Sequence, residues 1–170
     1  MLNPKLQDAI NGQINAELYS AYLYLSMSTY FESQNLKGMT NWMQVQAQEE
    51  MTHVMKFVDF VNDRGGRVTL TAIEGPETDW DSPLAAFEQA YAHECKVSSL
   101  IGELVDLAIA EKDHAANSFL QWFVTEQIEE EASAQEIVDK LKMLGDSGPG
   151  LFMFDNELGQ RTFAPPAGEA

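Results

Sequence analysis

A chain of 170 residues, 45% hydrophobic and 22% charged, can bury one substantial core and shows no composition break that would divide it into two domains. Its formal net charge of −17 at pH 7, from 27 acidic and 10 basic residues, argues against a nucleic-acid partner, which would need clustered Lys and Arg, and directs attention to cations. The start, Met1-Leu-Asn-Pro4, has no basic stretch before an apolar run, no segment approaches the ~20 apolar residues of a membrane span, and the single cysteine, Cys95, suits a reducing compartment; a cytoplasmic protein without a membrane partner is expected.

Asn3-Pro4 offers an N-cap and a first-turn proline, opening a helix that is predicted to run to about Gln34. The break from Asn35 to Gly38 is short enough for an antiparallel turn, and the second helix ends at Gly65-Gly66. Between Gly66 and Ser82 lie about 17 residues with no helical period. The second helix is ~42 Å long at 1.5 Å per residue, and an extended connection of that length reaches ~56 Å, so it can return along the whole bundle. Ser82-Pro83 opens a third helix that fades near Lys112, and Asp113 caps a fourth that stops at Gly145. Asp146 to Gly150 reads as a flexible turn, Leu151 to Leu158 as a short fifth helix, and Arg161 to Ala170, with Pro165-Pro166, as an extended or mobile tail. The expected fold is all-α: a four-helix bundle over about 4–144, in up-down-down-up order with one long crossover, a short C-terminal helix over about 150–158 and a tail over 159–170, making a single domain over 1–170.

Each long helix carries an apolar stripe advancing by alternating steps of four and three residues, and each stripe is broken by polar groups at its middle. The first reads Ile10, Ile14, Glu17, Ala21, Tyr24, Ser28, Phe31 and the second Met39, Met43, Gln46, Glu50, His53, Phe57, Phe60. The third reads Phe87, Tyr91, Glu94, Ser98, Ile101, Val105, Ala108 and the fourth Leu120, Phe123, Gln127, Glu130, Ala134, Ile137, Leu141. An ionised carboxylate in an apolar core costs several kcal/mol unless its charge is cancelled. No Lys or Arg lies on these stripes, so the available counter-charge is a bound metal. Cys95, one residue off the third stripe, reads as a buried inert thiol.

Glu50 and His53, three apart, can address one metal with oxygen and nitrogen, and Glu17 can complete that site. Glu94 and Glu130 offer a second site, with Glu50 able to bridge. Carboxylates with one imidazole and no thiolate favour iron or manganese over structural zinc. Gln127 and Glu130 stand where a symmetric centre would carry a second Glu-x-x-His, so the second metal has fewer strong donors. Such a site suits turnover. Leu18 to Leu25 is apolar around most of the helix, and Leu151 to Leu158 is an apolar segment without an obvious partner; both are expected to be covered by other subunits.

Over about Leu2 to Phe163 the chain resembles the prokaryotic non-haem ferritins, most specifically in Gln48-Glu-Glu-Met-Thr-His53, Tyr91-Ala-His-Glu94 and Asn117-Ser-Phe-Leu-Gln-Trp-Phe-Val-Thr-Glu-Gln-Ile-Glu-Glu-Glu131. The resemblance implies a ferritin-like bundle that oxidises ferrous iron with O2 at a di-iron ferroxidase centre and stores it as a ferric mineral inside a homo-oligomeric shell of about 24 subunits. It implies Glu17, Glu50 and His53 on the first iron, Glu50, Glu94 and Glu130 on the second, and Gln127 beside the oxygen site. It also implies a third iron near Glu49, Glu126 and Glu129, with Tyr24 and Trp122 as electron donors. A rubrerythrin-like peroxidase should carry the second Glu-x-x-His and a Cys-rich iron module, both missing. A haem-containing bacterioferritin would use Met51, but Gln127 and Glu130 depart from its di-iron site, which argues against haem. A scaffold or a shell without oxidase activity is disfavoured by the intact ligand set.

Overall fold

The computed structural model describes residues 2–164, so the Pro165-Pro166 part of the expected tail lies outside the described residues. Among the described residues five helices follow one another: α1 (Pro4–Ser33), α2 (Lys37–Asp63), α3 (Pro83–Ala110), α4 (His114–Leu144) and α5 (Gly148–Leu158). None of the described helices is long and apolar enough to cross a membrane.

Local chemistry starts and stops these helices where punctuation was read. Asn3 accepts from the Lys5 amide at 2.9 Å, Ser82 from Ala85 at 3.1 Å and Asp113 from Ala116 at 2.9 Å, each satisfying a first-turn N–H that has no partner within its helix. Gly65 ends α2 with φ 68°, a left-handed conformation that costs glycine little. Lys112 adopts φ 57° in the α3–α4 turn without a glycine's freedom, which is why the sequence carries no sharp stop there. The fifth helix begins three residues before the expected Leu151. Ser147 accepts from the Gly150 amide at 3.1 Å, and Pro149 sits in the first turn, where its missing N–H is harmless. What read as a flexible turn is largely a capped helix start.

The crossover fixes the topology. The Leu2 amide donates to the Arg64 carbonyl at 3.1 Å, so α2 ends beside the start of α1. From there the connection climbs α1. Gln7 accepts from Arg67, Asn11 donates to Arg67 and accepts from Thr69, Asn15 donates to Thr71 and Ala72, Ser26 donates to Glu77, and Tyr30 meets the Trp80 ring at 5.2 Å. The chain therefore re-enters at the far end, where α3 starts with Phe87 against Phe31 and Trp42. It runs parallel to α2, and Arg64 meets the α4 cap Asp113 at 2.9 and 3.1 Å at the opposite end. This is the expected up-down-down-up bundle with one full-length crossover.

The core consists of two apolar blocks. One gathers Tyr24, Met27, Phe31, Met39, Met43, Phe87 and Leu141 at the end that α5 covers. The other gathers Leu6, Ile10, Ile14, Phe57, Ile101, Leu120 and Phe123 at the crossover's starting end. Between them lies the polar layer that interrupted each stripe. In α3 the buried row runs Phe87, Ala90, Glu94, Val97, Ile101, Leu104, Ala108, so Tyr91, Ser98 and Val105 of the expected stripe are only half-buried. The 3.6-residue turn allows either phase, and placing Val97 inward leaves Ser98 at the edge, where its hydroxyl has partners. Phe60 is likewise half-buried, and Cys95 is half-buried rather than the buried thiol expected.

The fifth helix packs against its own chain more than expected. Phe154 and Leu158 join the first core block, while Phe152 and Met153 stay exposed. The Leu36 cap of α2 has no side-chain bond, and Asp155 supplies one from α5, accepting from the Met39 amide at 2.9 Å. Gly38 makes room for this dock: a Cβ there would lie 1.6 Å from the Asp155 carbonyl oxygen. Gly38→Ala is expected to push α5 off α2 and lower stability by about 2 kcal/mol, the scale of a strained overpacked site, read as a reduced denaturant midpoint at unchanged slope.

Candidate metal centre

All four long helices deliver polar side chains to the layer between the core blocks. Glu17, Gln46, Glu50, His53, Glu94, Gln127 and Glu130 are all buried there. Glu17, Glu50 and His53 present one ligand atom each within 4.8 Å of one another. His53, Glu126 and Glu130 form a second such group. His53 turns Nδ1 toward Glu50 Oε2 at 3.2 Å and Nε2 toward Glu126 Oε1 at 4.0 Å, so one imidazole faces both groups.

Glu94 belongs to neither group. Its Oε1 accepts from the Tyr24 hydroxyl, and its Oε2 accepts from Gln127 Nε2 at 3.2 Å. Gln127 also donates to Ser98 Oγ at 3.3 Å, and Ser98 in turn to Glu131. These residues border an open cleft of ≈ 470 Å³ between α3 and α4, which brings Gln127 within reach of the surface. Glu49 lies in neither group, being bound by Arg161, and Glu129 is exposed. Trp122 packs edge-on to His53 with centroids 5.5 Å apart. Met51, where a haem ligand would stand, is 43% exposed.

Two residues that the sequence reading left without a role hold the carboxylates in place. Gln13 donates to Glu17 at 2.8 Å, and Gln46 donates to Glu130 at 2.6 Å and reaches Glu50 at 3.5 Å. A usable signal was present, because each glutamine stands four residues before its glutamate and so shares its helix face. Every buried acid of the layer is thus steadied by an amide, which orients a carboxylate without neutralising it. Glu17 Oε2 and Gln46 Oε1 face no amide or hydroxyl donor, and the neighbour of Glu17 on that side is another carboxyl, Glu50. A buried carboxylate oxygen without a donor is costly unless an ion takes the place. The donor set around it, oxygens and one imidazole with no thiolate, fits iron.

Electrostatics follow from this arrangement. Burial, then the neighbouring Glu50 charge, raises Glu17 well above the usual carboxylate range. Burial, then Glu94 and Glu130, does the same to Glu50. Burial raises Glu94 against the hydrogen bonds from Tyr24 and Gln127, and burial, then Glu94, pushes Glu130 up to about 8. Without metal, such a layer holds protons that an arriving cation must displace. Tyr24 is raised by burial, then by Glu94, which keeps its hydroxyl protonated as a donor. On the other side of Tyr24, burial lowers His93 to about 4, and its Nε2 lies 2.8 Å from Ser20 Oγ. That imidazole is a neutral wall.

A family model for the ferritin-like domain matches residues 7–144. The chain is 50% identical over 161 residues to the bacterial non-heme ferritin of Bacteroides fragilis, covering 95% of this chain and 100% of that one. Identity to the bacterial non-heme ferritin of Staphylococcus saprophyticus is 40% over 163 residues, covering 96% and 98%. Among solved structures, the open-pore ferritin of the hyperthermophilic archaeon Archaeoglobus fulgidus is similar with a TM-score of 0.94 and 56% identity over 95% of this chain and 98% of that one. A form of that ferritin engineered to be closed reaches a TM-score of 0.96 at 56% identity over 96% and 100%.

The raised acids give the metal-free protein a definite pH dependence. A carboxyl whose folded pKa lies above its unfolded value stabilises fully below the unfolded value, near 4.5, and loses that contribution as pH rises through the folded value, about 8 for Glu130. Metal-free protein is therefore expected to melt at a lower temperature at about pH 9 than at about pH 5, the slope approaching ~1.4 kcal/mol per pH unit for each proton lost. In Glu130→Gln the slope should flatten. An unchanged slope in thermal melts of that variant would contradict the assignment of the proton.

Proposed function

Since the chain belongs to the ferritin family, whose business is iron storage, we propose that its buried layer is a ferroxidase centre for two ferrous ions. The reading rests above all on one observation: four glutamates meet in the core beside no Lys or Arg, steadied by amides, a phenol and the His53 imidazole, with a Glu17 oxygen left without a hydrogen-bond donor. Glu17, Glu50 and His53 take the first ion. Glu50 bridges to a second held by Glu130 and Glu94, once Glu94 exchanges its bond with Tyr24 for the metal. Gln127, reachable from the α3–α4 cleft, stands by the oxygen side.

The chemistry asked of these residues is modest. Each ferrous ion gives up one electron and O2 accepts both. Carboxylates favour the product, because hard oxygen donors with full negative charge bind the more highly charged ferric ion better than the ferrous one. Protons displaced from Glu17, Glu50 and Glu130 as cations enter leave the layer charged and ready to hold them. Two electrons and two protons take O2 to hydrogen peroxide; Tyr24, one bond from Glu94, and Trp122, edge-on to His53, are placed to supply further electrons where O2 is reduced beyond that level towards water. The second ion, with an amide at Gln127 in place of an acid, departs more easily, which suits iron in transit to a mineral.

Storage needs an enclosed space, and we read the chain as a cytoplasmic homo-oligomer of about 24 copies. Support comes from apolar surface that a single chain leaves bare: Tyr22 and Leu25 on α1 are about half exposed, and Phe152 and Met153 on α5 are more so. Light scattering on the eluting protein is expected to give a mass of about 24 chains, with particle density rising after aerobic iron loading. A monomer at micromolar concentration would leave a di-iron oxidase without a store.

The central test is anaerobic ferrous loading followed by a pulse of O2, with absorbance recorded. Wild type should oxidise bound iron rapidly. Glu50→Ala removes the shared ligand and should slow that phase by orders of magnitude, while the metal-free variant melts no lower than wild type because an uncompensated buried acid has been deleted. Wild-type rates in this variant would exclude the bridging role.

A further inference from the structure

The third-iron residues implied by family resemblance do not assemble here, and the reason is a cation already in place. Arg161, just beyond α5, donates to a carboxylate oxygen of Glu49. It is held there from several directions. Its guanidinium lies 4.4 Å from the Trp42 ring centroid, and its Nη1 reaches the Trp42 carbonyl at 3.5 Å. Asn41 Nδ2 donates to the Arg161 carbonyl at 2.9 Å, and the Arg161 amide reaches back to Leu158 at 3.3 Å. The preceding helix is fixed to α2 through Asp155 and Gly38. The side chains of Arg161 and Glu49 are only 23% and 22% exposed, so the pair is shielded rather than a loose surface contact. Across from it Glu126 faces His53, and Glu129 points to solvent.

We infer that Arg161 is a built-in competitor for Glu49: while residues 159–161 are docked, the guanidinium fills the place of a third metal ion, and the chain works with two ions and one arginine. The inference rests on the ferroxidase reading above and specifies how many cations that centre takes. Tethering gives the guanidinium an advantage. A guanidinium tethered to a docked helix presents itself at an effective concentration on the order of mM, whereas a free divalent ion at micromolar level must displace it and also bind near two other cations. Arginine suits this role better than lysine, because its planar fork stacks on Trp42 while bonding Glu49. Arg161 touches neither proposed iron position, so it is a positioning residue. It occupies a Glu49 oxygen that would otherwise be open to a cation beside Glu126.

The test is anaerobic calorimetric titration of the metal-free protein with Co²⁺. Wild type is expected to take two equivalents per chain, and Arg161→Gln a third, bound ~10- to 100-fold more tightly than any third ion in wild type, as removal of a tethered competitor requires. Arg161→Gln/Glu49→Gln should return to two. Asn41→Ser, which loosens the backbone anchor without touching Trp42 or the carboxylates, should admit the third ion more weakly and guards against an Arg161 variant that folds poorly. Two equivalents in both single variants, or a third that survives loss of Glu49, would overturn the role of Arg161. Failure of wild type to bind two ions would count against the ferroxidase reading instead, and the difference between Arg161→Gln and the double variant would still report on Glu49.

Discussion

Burying four acids with no Lys or Arg beside them, and a single imidazole among them, is the constraint around which this molecule is organised. Glu17, Glu50, Glu94 and Glu130 share one layer of the bundle, and their hydrogen-bonding neighbours are Gln13, Gln46, Gln127, Tyr24 and, for Glu50, the His53 ring. A lysine in that layer would have stabilised the metal-free fold and closed the site to metal. Neutral amides hold the carboxylate geometry and leave the charge to be answered from outside. The two apolar blocks on either side then carry the stability that the layer gives up, with stacked aromatics such as Phe57 on Phe123, centroids 4.1 Å apart, immediately below it.

The rest of the architecture follows from keeping that layer closed on four sides. Helices of 27–31 residues are long enough to place an apolar block above and below the polar groups. Up-down-down-up order needs a connection as long as the bundle, and this one is fastened by hydrogen bonds that Asn11, Asn15 and Ser26 donate and Gln7 accepts rather than by a deep apolar seam. That choice leaves Leu70 and Ile73 on the outside, continuous in character with Tyr22 and Leu25 on α1.

Much of this was readable before any coordinates. Caps at Asn3, Ser82 and Asp113 and glycines at Gly65 and Gly145 mark helix ends through local backbone chemistry, which sequence records directly. The broken stripes placed Glu17, Glu50, His53, Gln127 and Glu130 inward for the same reason: helical period is a local property. The phase of α3 was misread because Ala90 and Tyr91, or Val97 and Ser98, satisfy the period equally, and only the neighbouring α4 surface decides between them. The start of α5 was hidden because Gly148-Pro149-Gly150 looks like a turn unless Ser147 is recognised as its cap. The Asp155 bond to Met39 and the Arg161 grip on Glu49 span more than a hundred residues, and nothing local announces either.

The chain is also two hairpins. Helices α1 and α2 share the most extensive packing, as do α3 and α4, and the long connection separates the pairs. The polar layer divides along the same line, with Glu17, Glu50 and His53 on the first hairpin and Glu94, Gln127 and Glu130 on the second. Each hairpin forms through near-neighbour contacts, which is fast, whereas their mutual docking waits on closure of the long connection. An ion held by the first three ligands rides on one hairpin and leaves the docking step untouched. An ion spanning Glu50 and Glu130, as the proposed centre requires, would tie the hairpins together after they have met, so its effect would fall on the rate of coming apart rather than the rate of assembly. Under the ferroxidase reading proposed above, iron occupancy would set the pace of unfolding: a loaded chain would come apart slowly, and an empty one would exchange with its opened form on a shorter time.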